Sequence, residues 1–420
     1  VDTTMTTPGE IGYHLAPVVG YDEMAAGEAT ELTGLTCPDD KTFVVTLKEP
    51  MADFLAVCCH PGLAPAPQAA IDDAANYLLA PIGNGPFMMD GKWEDGQEIN
   101  LKKFDDYYGD KAKIDAIHFQ VIKDVETAYK EFQAGNLDIC DVPVAQIDAA
   151  KKDRGESKDG YTMGDGERML LGAEPSTYYL TCNNTAEPFN NADLRKGISL
   201  AINREAICKT IFKGTRTPAD GIVPPGIAGY KEGAWEFAAY DVDKANEYLD
   251  KVAPAGANGD RGINVTLSYN QDGGHKEIME SIIGDLAKVG VTATSDTPEW
   301  SALLEQYQNF NYQFGRLGWI ADYPIMDNFL YPLFHSDSLG GDNRSGYSNP
   351  DFDAKVDEAR ATVDDDERIA KMQEADGMVA ADCPVIPVMF YTHTIAGSDR
   401  VKYLYVDPQK HADLGTAELA

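Results

Sequence analysis

The sequence contains no run of about 18 apolar residues, so no segment of it reads as a membrane-spanning helix. Positive charge is scarce: 35 Lys and Arg stand against 69 Asp and Glu, a net charge of −34. A field of that sign repels phosphate backbones, and no basic patch offsets it, so no nucleic-acid partner is expected. Cysteine is sparse too. Cys37, Cys58, Cys59, Cys140, Cys182, Cys208 and Cys383 make an odd number without short paired spacing, which argues against a disulfide framework and a CxxC-type metal site. Most lie in apolar runs, where a free thiol acts as a small core hydrophobe, and this usage fits a reducing or anaerobic setting. Val1 to Pro8 carry neither the basic start nor the apolar stretch of a secretory signal.

The motifs of catalysis are missing as well. There is no Gly-x-x-x-x-Gly-Lys-Ser/Thr loop, no Gly-x-Gly-x-x-Gly after a strand, no Gly-x-Ser-x-Gly elbow and no His-Glu-x-x-His. Gly83-Asn-Gly85 runs into Pro86 and suits a turn. Cys58-Cys59-His60 could ligate a soft metal, but neighbours on a strand point to opposite faces, which favours a core role. With 69 carboxylates, a pair placed for acid–base work carries no weight. Neither enzymatic activity nor a cofactor or metal is expected.

What the chain does hold is material for a large core. At roughly 150 residues per domain, 420 residues make two or three domains, and 43% hydrophobic with 25% charged residues is ordinary for a globular protein. Short strands mixed with amphipathic helices read as α/β. Ile263 to Tyr269 alternates as a strand, His275 to Val289 is helical and closed by Gly290, and Val291 to Ser295 is a second strand. This βαβ unit implies a parallel sheet with a right-handed crossover. Trp300 to Gln308 continues as helix and Tyr312 to Leu317 as strand. Upstream, Asp193 is placed to cap a helix reaching about Lys213, Asp241 caps another, and 151–168 is polar enough for a surface loop. Downstream, Asp364 to Ala381 is a helix with acidic residues in its first turn, and Val385 to Thr394 is β-rich.

Several residues stand where a ligand could be met. Gly318-Trp-Ile-Ala-Asp-Tyr323 follows the strand ending at Leu317, at the carboxyl edge of the inferred sheet, where α/β folds place ligands. Gly318 permits close backbone approach, Trp319 offers an apolar wall and Asp322 could hold a cation. An ordinary aromatic turn with a solvated Asp fits the same residues. Trp300 is a second wall or core. His275, at a helix start after Gly273-Gly274, could meet an anion there or be structural. Arg316, on a half-buried strand, needs a partner, which a ligand or a protein carboxylate could supply.

Eight stretches in the right order resemble the dipeptide- and oligopeptide-binding proteins of ABC importers, the family 5 extracellular solute receptors. They are Asn84-Gly-Pro-Phe87 with Trp93 and Gly96; Tyr107-Tyr108; Gly135-Asn-Leu-Asp138; Pro188-Phe189 with Asp193-Leu-Arg195 and Ala201-Ile-Asn-Arg-Glu205; Tyr240-Asp241 with Lys244-Ala245; Gly318-Trp319 with Asp322; Tyr347-Ser-Asn-Pro350 with Phe352-Asp353; and Pro384-Val-Ile-Pro387. The resemblance implies a two-lobed, periplasmic-binding-protein-like (type II) α/β fold with mixed sheets, a hinge and an extra small subdomain. It also implies a monomeric, non-enzymatic receptor outside the cytoplasm, a cell-surface lipoprotein or periplasmic protein. Such a receptor holds a peptide as an added strand between its lobes and passes it to the permease and ATPase of the importer. By the same resemblance Asp322 pairs with the peptide's α-ammonium. Gly318 to Ile320 supply backbone partners, Trp319 and Trp300 line side-chain pockets, and Arg316, His275 and Asn270 receive the carboxylate.

Against that family the chain begins late. The resemblance makes 1–83 a remnant of the small subdomain, 84–175 with 393–420 an incomplete first lobe, and 176–392 the second lobe. Exposed apolar surface or an open sheet edge is expected where an opening strand belongs. A disulfide found in some members falls at Ser176 and Ile320 here and is therefore absent. Other readings are a receptor for another small solute such as nickel or an oligosaccharide, a hydrolase using acidic residues, and a surface protein for adhesion or sensing.

Overall fold

The computed structural model describes residues 11–93, 96–164 and 166–420. The reading of Val1 to Pro8 lies outside these residues. The chain divides into two compact units, one of 1–64, 175–210 and 217–390, the other of 65–174, 211–216 and 391–420. It passes from one to the other twice within long strands, Met169–Cys182 and Val385–Gly397.

In the first unit the βαβ pattern folds as its periodicity dictates. Ile263–Ser268 and Val291–Asp296 pair in parallel over six residues, joined by the helix Lys276–Lys288. Gly290 turns between helix and strand at φ 76°, and a Cβ there would lie 2.1 Å from the Gly259 carbonyl oxygen. Arg261 closes the same corner by donating to the Val289 and Ala253 carbonyls and to Asp250. The sheet continues with Phe314–Ile320, then Met169–Cys182 and Val385–Gly397. Ile11 to Ala64 belong to this unit rather than standing apart. Tyr13 donates to Asp342, the Ala52 N–H to the Arg360 carbonyl, and Arg368 pairs with Asp53.

Several local expectations need correction. One helix was expected from Asp193 to Lys213; there are two, Ala192–Ala201 and Arg204–Thr210, and the cap of the first is Asn191, which accepts from the Asp193 N–H. The break follows from burial of Arg204, whose guanidinium takes the Ser199, Ile202 and Pro387 carbonyls. The loop expected over 151–168 begins inside a helix, Ile147–Arg154, ended by Gly155 at φ 74°. Cys58 and Cys59 are exposed and follow a short helix, not a strand, so they are not core. Among the described residues no cluster fit for a metal ion occurs, and no helix is long and apolar enough to cross a membrane. Asp241 does cap its helix, and Asp364, expected as the first residue of a helix, is the cap of Asp365–Asp382.

The second unit is built of small antiparallel pieces. Phe87–Met89, Glu98–Lys103 and Ala116–Gln120 form one meander, and Val401–Tyr405 pairs with Thr162–Met163 and Glu418–Leu419. Tyr129, Phe132, Val142, Ile147 and Met169 pack together in one of its cores. Large apolar side chains are exposed at Ile71, Leu78 and Ile82 here, and at Phe43 and Leu55 in the first unit.

The main core of the first unit contains Trp235, whose indole N–H donates to Asp376 at 2.8 Å on the helix Asp365–Asp382. Burial raises the Asp376 carboxyl to about 6, against the counter-effect of the Trp235 bond. An unfolded Asp titrates near 3.9, so the folded state binds the extra proton between about pH 4 and 6, and stability falls as pH rises through that window. Asp376→Asn keeps an acceptor for Trp235 and loses the buried charge. It is expected to gain about 2–3 kcal/mol at pH 7.5 and little at pH 4. Thermal melts of both proteins across that range check this; a gain independent of pH would refute it.

Candidate functional site

The strand Phe314–Ile320 is held on its two edges by different partners. On one, Leu267↔Phe314 and Ser268↔Gly315 are in parallel register, and the pairing stops there. On the other, an antiparallel ladder runs from Phe314↔Cys182 to Ile320↔Ser176, and the Ala321 N–H continues it to the Pro175 carbonyl at 3.0 Å. Hydrogen-bonded pairs alternate along an antiparallel ladder. Leu317, Trp319 and Ala321 therefore turn their main-chain groups to the 175–182 side, and Arg316, Gly318 and Ile320 turn theirs to the opposite edge. The Tyr307 hydroxyl lies 3.1 Å from both the Arg316 and Ser268 carbonyls and closes the gap where the parallel partner ends. Gly315 makes room for it, since a Cβ there would sit 2.1 Å from the hydroxyl oxygen. Beyond that point, among the described residues, no strand pairs with the Gly318–Ile320 edge.

The spacing predicts a strand ending at Leu317 and a loop from Gly318. Instead Gly318, Trp319 and Ile320 are strand residues, because the antiparallel partner Met169–Cys182 extends the ladder. Ser176 and Ile320 face each other directly across it.

Side chains alternate between the faces, so the expected site residues fall into two groups. On one face, the Trp319 indole N–H donates to the Asn328 side-chain oxygen at 3.0 Å. The Asp322 N–H donates to that same oxygen at 2.9 Å, and the Asn328 amide donates to Asp322 Oδ2 at 3.3 Å. Asn328 is fully buried and clamps both residues. The Asp322 side chain is 29% exposed, with His60 Nε2 3.7 Å from Oδ2. Below it, the Tyr323 hydroxyl donates to Asp327, which pairs with Arg360 at 3.1 Å, charge to charge rather than as an aligned hydrogen bond. Burial works against the Arg360 charge, but Asp327 with Tyr331 and Tyr323 outweighs it and holds the guanidinium above its usual value.

On the other face, the Arg316 guanidinium lies over the rings of Tyr178, at 5.3 Å, and Trp300, at 5.6 Å, with Asn270 Oδ1 3.4 Å from one of its nitrogens. Tyr178 is fully buried, and its hydroxyl meets His275 Nδ1 at 3.2 Å. Trp300 begins the helix Trp300–Gln308 and is 41% exposed, so it is not core. His275 is buried and its ring makes no cap bond to the helix that follows; the imidazole turns to Tyr178. His275 stands at the N-cap position of Lys276–Lys288, as its place at the helix start implies, but without a side-chain cap bond. Gly273 leaves space for the ring, because a Cβ there would lie 2.7 Å from Nε2.

Asp322 and Trp319 thus come together through Asn328; Asn270, Trp300 and Tyr178 gather around Arg316, and His275 joins them through Tyr178. Ile320 is half exposed, with Gly318 beside it on the open edge. Asn328, His60, Tyr178 and Tyr307 were not expected. Asn328 lay in view, six residues beyond Asp322 at the start of the apolar helix Asp327–Phe334, where a buried amide needs partners. His60 gave no such sign.

An open strand edge, a clamped carboxylate and an aromatic-faced guanidinium are groups to which a polar, extended guest could hydrogen-bond. The model of the bacterial extracellular solute-binding proteins, family 5 Middle, matches residues 11–341. The oligopeptide-binding protein OppA of Bacillus subtilis is 29% identical over 94% of this chain and 72% of its own length. The dipeptide-binding protein DppE of the same organism is 28% identical over 91% and 69%. Among solved structures, the murein tripeptide binding protein MppA of Escherichia coli superposes with a TM-score of 0.85 at 20% identity, covering 100% of this chain and 81% of that one. The chain belongs to the family 5 extracellular solute-binding proteins, and its α/β fold is that of the type II periplasmic binding proteins.

Proposed function

We propose that the protein is an extracytoplasmic peptide receptor, not an enzyme, that delivers its ligand to the permease and ATPase of an ABC importer. The observation that carries this is the Gly318–Ile320 edge, unpaired among the described residues, beside the clamped Asp322 carboxylate, in a chain whose relatives OppA and DppE are named for binding oligopeptides and dipeptides. A peptide laid along that edge receives main-chain hydrogen bonds from Gly318 and Ile320, as an added strand does. Its α-ammonium meets Asp322, and Trp319 and Trp300 form walls for its side chains. Arg316, with Asn270 and His275, receives its carboxylate. Main-chain bonds are common to every peptide, so the site tolerates many sequences. The receptor works as a monomer with lobes at 84–175 with 393–420 and at 176–392, either as a cell-surface lipoprotein or in the periplasm.

Calorimetry with free-amine peptides of two to five residues, followed by mass spectrometry of the recovered ligand, tests this. Tight binding with the ligand returned unaltered is expected. Cleaved peptide, or no binding across the series, would overturn the proposal.

A further inference from the structure

The helix Trp300–Gln308 holds one residue of the neighbouring strand at two points. Trp300 and Tyr307 are seven positions apart and so share a helix face. Trp300 lies against the Arg316 guanidinium, and the Tyr307 hydroxyl donates toward the Arg316 main-chain carbonyl, sharing its single proton with the Ser268 carbonyl. Tyr307 is fully buried, with its ring centre 4.5 Å from that of Tyr312, whose own hydroxyl donates to the Arg344 carbonyl at 2.7 Å. Burial, with Tyr312 beside it, holds the Tyr307 phenol well above its usual range, so the group keeps its proton and remains a donor.

What this donor occupies bears on any strand added beside it. Arg316, Gly318 and Ile320 turn their main-chain groups to the same edge. The Arg316 carbonyl there is bonded to Tyr307, whereas among the described residues no strand pairs with Gly318 or Ile320 on that side. A peptide whose ammonium meets Asp322 and whose carboxyl end lies toward Arg316 runs antiparallel to Phe314–Ile320. Its main chain pairs with Ile320 first and with Gly318 two residues later. The next position in that alternation falls on Arg316, where the acceptor is already taken. We propose that Tyr307 is a specificity-determining residue that ends the ligand's ladder at Gly318, so that the peptide main chain is read along Gly318 to Ile320 and no further. This rests on the peptide-receptor function and on the ligand direction given with it. The limit concerns length, not side-chain sequence, because only main-chain groups take part.

The test is calorimetry on free-amine peptides of three to seven residues, built of alanine and serine. Amidation of their carboxyl ends takes the Arg316 charge out of the comparison. In the wild-type protein the gain in affinity with each added residue is expected to stop at the residue opposite Gly318. In Tyr307→Phe the Arg316 carbonyl can accept one more peptide N–H. The stop is then expected two residues later, with the longer peptides gaining about 2- to 12-fold relative to the tripeptide. A stop at the same length in both proteins, or a change shared equally by all lengths, overturns the inference and leaves the receptor function standing. No binding by any peptide of the series overturns the receptor function, and the inference with it. A second measurement needs only the wild-type protein, so it does not depend on the variant folding. Single N-methylation along the heptapeptide is expected to cost about tenfold or more at two amides, two residues apart, which pair with Ile320 and Gly318. At the amide two residues further on it should cost less than about twofold. A third sensitive amide at that place would show the Arg316 carbonyl accepting from the ligand, and would overturn the inference.

Discussion

Asp322→Asn is expected to weaken binding of free-amine peptides by about 100- to 4,000-fold while changing the Kd of their N-acetylated forms only a few-fold. Asn keeps the shape of the side chain and an oxygen for the Asn328 amide, which now sits 3.3 Å from Asp322 Oδ2. What it removes is the countercharge. Leaving a desolvated cation without its partner costs about 3–5 kcal/mol, and each 1.4 kcal/mol is a factor of ten in affinity. The acetylated peptide brings no ammonium and has little to lose. Calorimetry on the four combinations separates the cases, with thermal melts to confirm that the variant is folded. An equal loss for both peptide forms would mean that Asp322 shapes the loop rather than meeting a charge.

The largest expected loss of stability is at Asp327→Ala. Asp327 is 1% exposed, Arg360 is 6% exposed, and the guanidinium lies 3.7 Å from the centre of the Tyr331 ring. Removing the carboxylate leaves a buried cation with no counterion and the Tyr323 hydroxyl without its acceptor, a cost of about 3–5 kcal/mol. Urea unfolding measures it. The double variant Asp327→Ala/Arg360→Leu should recover much of the loss, because neither charge then remains to be desolvated. A single-variant loss below about 1 kcal/mol, or no recovery in the pair, would show that the ion pair is not what holds this region.

These effects sit in parts of the molecule that the sequence revealed unequally. The βαβ unit from Ile263 to Asp296 was plain, because strand alternation, helix and closing glycine are all local signals. The same holds for the cap at Asp241 and for the helix beginning at Asp364. The break between Ala201 and Arg204 was hidden, since it depends on Arg204 reaching the distant Pro387 carbonyl. Asp322 was visible by its residue type and setting. The extension of its strand to Ile320 was not, because the ladder partner is Met169–Cys182 and pairing between remote segments leaves no periodicity in either. For the same reason His60, contributed by the first 64 residues, could not be connected to Asp322 without the fold.

Arg316 and Trp319 look out from opposite faces of one short strand, so a change in chain length here would act unlike a change of side chain. Deleting or inserting a single residue between them would reverse the outlook of everything after it and send the indole to the guanidinium's side. A two-residue change would restore the outlook at the cost of position. Natural or engineered variants with altered ligand choice should therefore carry substitutions along Phe314–Ile320, and length changes should be confined to the turn that follows.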